Sequence, residues 1–151
     1  MAKEIIVMTF GTFDFFHQGH QYFLKKAKKY GTKLITVVAR DKNVELQKGY
    51  KPEHDEIKRK NTIKESRLVD EVILGNTKDK FKVIREKTPN IIVLGYDQKA
   101  PIYEIQKEFP EIKIKRVDSH FPEKFSSSII RKNHKGKHQS QLGHKGLLKK
   151  L

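Results

Sequence analysis

The sequence predicts an α/β fold in which an open parallel sheet is covered by helices on both faces. Two observations carry that expectation. Apolar runs of strand length alternate with single amphipathic stretches of helix length along most of the chain. One run, Asn90 to Leu94 (NIIVL), is continuously apolar, as a strand buried on both faces requires.

The elements follow in order. Glu4 to Phe10 (EIIVMTF) reads as a strand, Gly19 to Tyr30 as a helix and Lys33 to Ala39 (KLITVVA) as a second strand, so the chain opens with a βαβ unit. A lysine-containing loop is predicted at Asp41 to Pro52, a charged helix from about Glu53 to Ser66, and a strand at Glu71 to Leu74. A helix over about Lys78 to Lys87 is stopped by Pro89, and the buried strand 90–94 ends at Gly95. Pro101 suits the first turn of a helix running to about Phe109. Ile112 to Val117 (IKIKRV) alternates like a strand with one wetter face, which places it at an edge of the sheet. Ligands of such a sheet sit outside the carboxyl ends of its strands, so chemistry is sought in the loops that follow them.

At 151 residues the chain fits one domain with a real core. The absence of cysteine excludes disulfides, thiolate zinc sites and cysteine nucleophiles, and is compatible with a reducing cytoplasm. The start, MAKEIIVMTF, is too short an apolar run for a signal peptide, and no stretch reaches the roughly 18 apolar residues of a membrane span. A soluble cytoplasmic protein is expected. The net charge of +15 suggests an anionic partner: nucleotide phosphates, nucleic acid or anionic lipid. Residues 132–151 carry six lysines and no acid, which takes +6 of that total and leaves +9 for residues 1–131. This tail has almost no apolar periodicity, so the expected organisation is a folded domain at 1–131 and a basic extension at 132–151.

The stretch FGTFDFFHQGH, residues 10–20, follows the first strand. Gly11 permits a close backbone approach, and Gly19 stands at a helix start whose N–H groups favour phosphate. His17 and His20 are three apart; on a helix beginning near His17 both imidazoles lie roughly on one face at its positive end. Two such donors can stabilise charge gathering on a leaving pyrophosphate, at about 3–4 kcal/mol for a well-placed donor. Taken alone, an HxxH pair is more often chance or part of a metal site, but here glycines bracket it after a strand, and two histidines leave a metal short of ligands.

These residues resemble the cytidylyltransferase-like nucleotidyltransferase family, whose GTFDxxHxGH signature is matched by Gly11, Thr12, Phe13, Asp14, His17, Gly19 and His20. Further segments match in order, so the resemblance covers residues 5 to about 131. It implies a Rossmann-like sheet of the HxGH architecture, with both histidines on the triphosphate and direct attack of the acceptor phosphate on the α-phosphorus. It also implies phosphate contacts from Lys48 in LQKGYK and Arg59 in IKRK, with Lys42 and Lys51 as further candidates. Taken alone, any of these cations is a solvated side chain or a weak surface partner. Nucleotide contacts are implied along Thr9, Phe10, Gly11, Thr12, Phe13 and Asp14, and at Gly19. They are implied too at Gly95 and Asp97 of LGYDQ, although an Asp after a strand is by itself an ordinary turn former. FSSSIIR resembles the second family signature, through Ser126, Ser127, Ser128 and Arg131; as a bare string it is a helix cap or linker. Threonines are usual there in the family.

Two branches compete. Members resembling archaeal FAD synthetase transfer AMP from ATP to FMN, and members resembling glycerol-3-phosphate cytidylyltransferase transfer CMP to a phosphorylated alcohol. The wording VVARDKNV and LGYDQ favours the first, LQK the second, and the reading leans to FAD synthesis. The resemblance implies Mg²⁺ with the triphosphate, held mainly by substrate oxygens and water because no carboxylate cluster is readable, and a homodimer. A non-catalytic nucleotide- or nucleic-acid-binding module is the reading from another class; the basic tail suggests it, but no aromatic RNA-binding platform accompanies it.

Overall fold

Residues 3–118 are described by a computed structural model of the chain. Five strands form one parallel sheet: β1 (Ile6–Gly11), β2 (Lys33–Val38), β3 (Glu71–Leu74), β4 (Ile91–Leu94) and β5 (Lys113–Arg116), in the order β3-β2-β1-β4-β5. The chain leaves β1 toward β2 on one side and returns to β4 on the other. The carboxyl ends of β1 and β4 therefore border the point where the winding reverses, which is where such sheets open a crevice for ligands.

Strand burial follows strand position. In β2 the five residues Leu34 to Val38 are buried, as a central strand covered on both faces requires. In β5 only Ile114 is partly buried while Lys113, Lys115 and Arg116 are exposed, so the expected edge strand is found at the edge. Helices α1 (Gln18–Lys28) and α3 (Glu56–Ser66) cover one face with Leu24, Ala27 and Ile63, against Val7, Leu34 and Val38. Helices α4 (Lys82–Lys87) and α5 (Ile102–Glu108) cover the other with Ile84 and Ile105, against Met8, Ile35 and Ile92. Alternation along β1 thus sends Val7 to one core and Met8 to the other.

Two elements differ from expectation. Residues 41–48 of the predicted loop form helix α2 (Asp41–Lys48). It lacks the usual start signal, since its N-cap is Arg40 with no side-chain cap, and it buries only Val44, so it has no apolar stripe. Gly49 ends it at φ 84°, a left-handed conformation in which glycine carries no Cβ penalty. The helix predicted from Lys78 begins only at Lys82. Asn76 Oδ1 accepts from the amides of Lys78 and Asp79 at 2.9 and 2.7 Å, and Asp79 Oδ1 from that of Phe81 at 3.0 Å. These side chains offer the backbone a turn in place of a helix. The expected boundary at residue 131 lies outside the described residues, and no described helix is long and apolar enough to cross a membrane.

Candidate active site

The segment after β1 is held in an unfavourable conformation by its surroundings. A Cβ on Gly11 would lie 2.8 and 2.9 Å from ring atoms of Phe13, so only glycine lets that ring fold back over the strand end. Phe13 and Phe15 have φ of 55° and 53°, a region that costs a non-glycine residue about 1–3 kcal/mol. Two braces offset this. The buried carboxylate of Asp14 accepts from the amides of Glu53 and His54 at 2.7 and 3.1 Å, with His54 Nδ1 at 3.3 Å. Arg59, 1% exposed, donates from Nη1 to Thr12 O at 2.8 Å, from Nε to His54 O at 2.9 Å and from Nη2 to Asp41 at 2.6 Å.

That loop delivers the histidines to the start of α1. His17 is its N-cap: His17 Nδ1 accepts from Gly19 N at 3.0 Å, and His20 Nδ1 accepts from His17 N at 3.3 Å. Reciprocal capping satisfies two amides at the helix start. Because each Nδ1 accepts, the proton of each neutral ring belongs on Nε2, which becomes the donor offered to a ligand. The rings stack with centroids 3.9 Å apart, and Phe13 and Phe16 pack on His20. Burial pushes the His17 pKa down to about 4. Burial, with the His17 ring and the nearby Lys48 ammonium disfavouring a second positive charge, holds His20 well below its ordinary value. Both rings are therefore neutral donors near pH 7.

Lys48, the last residue of α2, places Nζ 3.1 Å from Thr12 Oγ1 and close enough to influence His20. Thus Thr12, His17, Gly19, His20 and Lys48 come together at the carboxyl end of β1. Lys42 and Lys51 are exposed.

The geometry places the remaining candidates in the sheet and the loops that follow it. Thr9 is fully buried and its hydroxyl pairs with that of Thr36 at 2.9 Å. Phe13 and Asp14 are also buried. The described contacts of Asp14 and Arg59 are to the protein itself, which makes bracing the work their geometry supports. Gln98, which the sequence did not single out, spans the crevice: Nε2 donates to Phe10 O at 2.9 Å and Oε1 accepts from Gly95 N at 3.0 Å. Arg116 Nη1 donates to the carbonyls of Gly95 and Gln98, both at 2.8 Å. A glutamine after a strand carries no periodic or motif signal; only the proximity of β1 and β4 reveals it. Asp97 is half-buried in the same loop. Ser126, Ser127, Ser128 and Arg131 lie outside the described residues.

Comparison with known proteins identifies the family and supports the fold. The family model described as cytidylyltransferase-like matches residues 8–133. FAD synthase of Thermococcus sibiricus is 35% identical over 130 residues, covering 85% of this chain and 88% of that protein. FAD synthase of Thermoplasma volcanium is 41% identical over 132 residues, covering 85% and 92%. Among solved structures, the crystal structure of a protein described as a lipopolysaccharide core biosynthesis protein from Thermoplasma volcanium superposes with a TM-score of 0.73 at 40% identity, covering 78% of this chain and 99% of that one. With its parallel sheet, its complete GTFDxxHxGH segment and these relatives, the chain belongs to the cytidylyltransferase-like family and is a nucleotidyltransferase.

Proposed function

We propose that this enzyme transfers AMP from ATP to FMN, giving FAD and pyrophosphate. The observation that carries the reading is the similarity, over most of the chain, to proteins named FAD synthase, joined to a neutral histidine pair poised at a helix N-terminus. A phosphate oxygen of FMN attacks the α-phosphorus of ATP. The new P–O bond forms as the bond to the bridging oxygen of pyrophosphate breaks, with no covalent enzyme intermediate. Nε2–H of His17 and of His20, the amides of the α1 first turn and the Lys48 ammonium meet the charge that accumulates on the leaving group. Positioning and charge neutralisation supply most of the catalysis in such transfers.

By resemblance, Mg²⁺ would accompany ATP and help neutralise the triphosphate charge, with substrate oxygens and water supplying most of its ligands. By resemblance, Gly95, Asp97, Ser126, Ser127, Ser128 and Arg131 approach the nucleotide, the enzyme is cytoplasmic, and it acts as a homodimer. Pyrophosphate release is the test, with ATP or CTP against FMN, glycerol 3-phosphate or phosphocholine and Mg²⁺ present. Release with ATP and FMN is expected; release with CTP and a phosphorylated alcohol alone would move the enzyme to the cytidylyltransferase branch.

A further inference from the structure

On the face of the sheet opposite α1, at the reversal point between β1 and β4, lies a cavity of about 330 Å³. Phe10, Ala39, Ala100 and Pro101 stand half-buried around it, and Val37 and Leu94, closed to water, back it. Gly11 is part of its wall, and the next residue, Thr12, carries the hydroxyl that meets Lys48. A ligand here therefore adjoins the phosphate chemistry while lying across β1 from the histidines.

Two features define what the cavity accepts. Its walls are mostly apolar and its volume suits a fused aromatic system; glycerol phosphate or phosphocholine would leave them unfilled. Asn43, on α2, lines it too, and Asn43 Oδ1 is buried without a hydrogen-bond partner, while Nδ2 makes one long contact, 3.5 Å to Asn76 O. A buried acceptor left unpaired has lost its water with no return, and calls for a donor that arrives with a ligand. A carboxamide matches an imide edge, accepting from its N–H and donating to its carbonyl. Exposed Lys80 and Lys99 make the rim cationic, as an anionic ligand requires.

Resting on the FMN reading above, we propose that this cavity is the acceptor subsite, taking the isoalloxazine ring of the flavin between its apolar walls, with Asn43 reading the imide edge. The adenine of ATP is the competing occupant, since its edge also offers a donor beside an acceptor.

The test measures quenching of FMN fluorescence by the full chain, and the KM for FMN and for ATP, in wild type, Asn43→Leu and Ala100→Phe. Asn43→Leu removes the amide, and Ala100→Phe fills the mouth from a half-buried position. The expected result is FMN quenching by wild type, weakened about tenfold or more in both variants, with a matching rise in KM for FMN and an unchanged KM for ATP. Riboflavin, which has the ring without the phosphate, should compete with FMN and not with ATP. A rise confined to the KM for ATP would assign the cavity to the nucleotide base and overturn the proposal. Undiminished quenching in both variants would overturn the subsite while leaving FMN adenylyltransfer intact; absence of quenching and of turnover with FMN in wild type would overturn both.

Discussion

The two sides of β1 at its carboxyl end are built on opposite terms. On the α1 side the backbone is strained at Phe13 and Phe15, tied down by Asp14 and Arg59, and crowded with aromatic and imidazole rings. On the α4 side the walls are mostly aliphatic and the space is empty enough to admit a ring system. The difference teaches how one strand separates two tasks: fixed dipoles must be held rigid before charge develops, whereas ring recognition needs a shaped apolar surface.

The comparison breaks first at His20. Replacing it by alanine should lower kcat on the order of 100-fold or more while cooperative unfolding persists, as single-turnover kinetics beside thermal melts would show. Wild-type turnover in a folded His20→Ala protein removes the histidines from the mechanism. Arg59 sharpens the contrast between bracing and contact. Arg59→Lys keeps the charge but cannot donate in three fixed directions, so urea unfolding should show a loss of about 2–3 kcal/mol, with a lower kcat. If stability were unchanged and only the affinity for ATP fell, Arg59 would be touching phosphate directly.

Lys48→Ala removes the positive charge at the end of α2, and its expected signature is a KM for ATP raised about tenfold with the KM for FMN nearly unchanged. An ATP dependence identical to wild type counts against Lys48 as a triphosphate ligand. The smallest effect concerns pH. Folded His17 titrates at about 4 against an ordinary 6.5, so the unfolded chain takes up a proton in that interval before the folded chain does. Its contribution to stability is complete above 6.5 and declines as pH falls toward 4. Asp70, Glu71 and Asp79, held below their ordinary values mainly through hydrogen bonds to Lys28, Lys87 and Arg85, lose their share lower down, below about 4. His17→Asn keeps an N-cap acceptor and should flatten the slope of Tm between pH 4 and 6.5; an unaltered slope would show that His17 is not its source.

Four strands were legible as short runs rich in apolar residues between helices and β5 through its alternation, and the histidine pair because its spacing is a motif. Helix α2 was not, since Val44 alone anchors it and Arg40 gives no start signal. Lys48 was found by resemblance, yet its reach to Thr12 depends on that unpredicted helix and its stop at Gly49. Arg59 and Asp14 entered as phosphate and nucleotide contacts through the family resemblance; their burial and backbone partners are tertiary facts that no local pattern carries. Gln98 and Asn43 were missed for the same reason: a neutral amide becomes informative only when its surroundings are known.

The edge strand β5 also bears on assembly. With Lys113, Lys115 and Arg116 exposed along four residues, a second copy pairing antiparallel to that edge would bring six cations into one short ribbon. Among the described residues, growth of the sheet through a second β5 is thereby discouraged by charge.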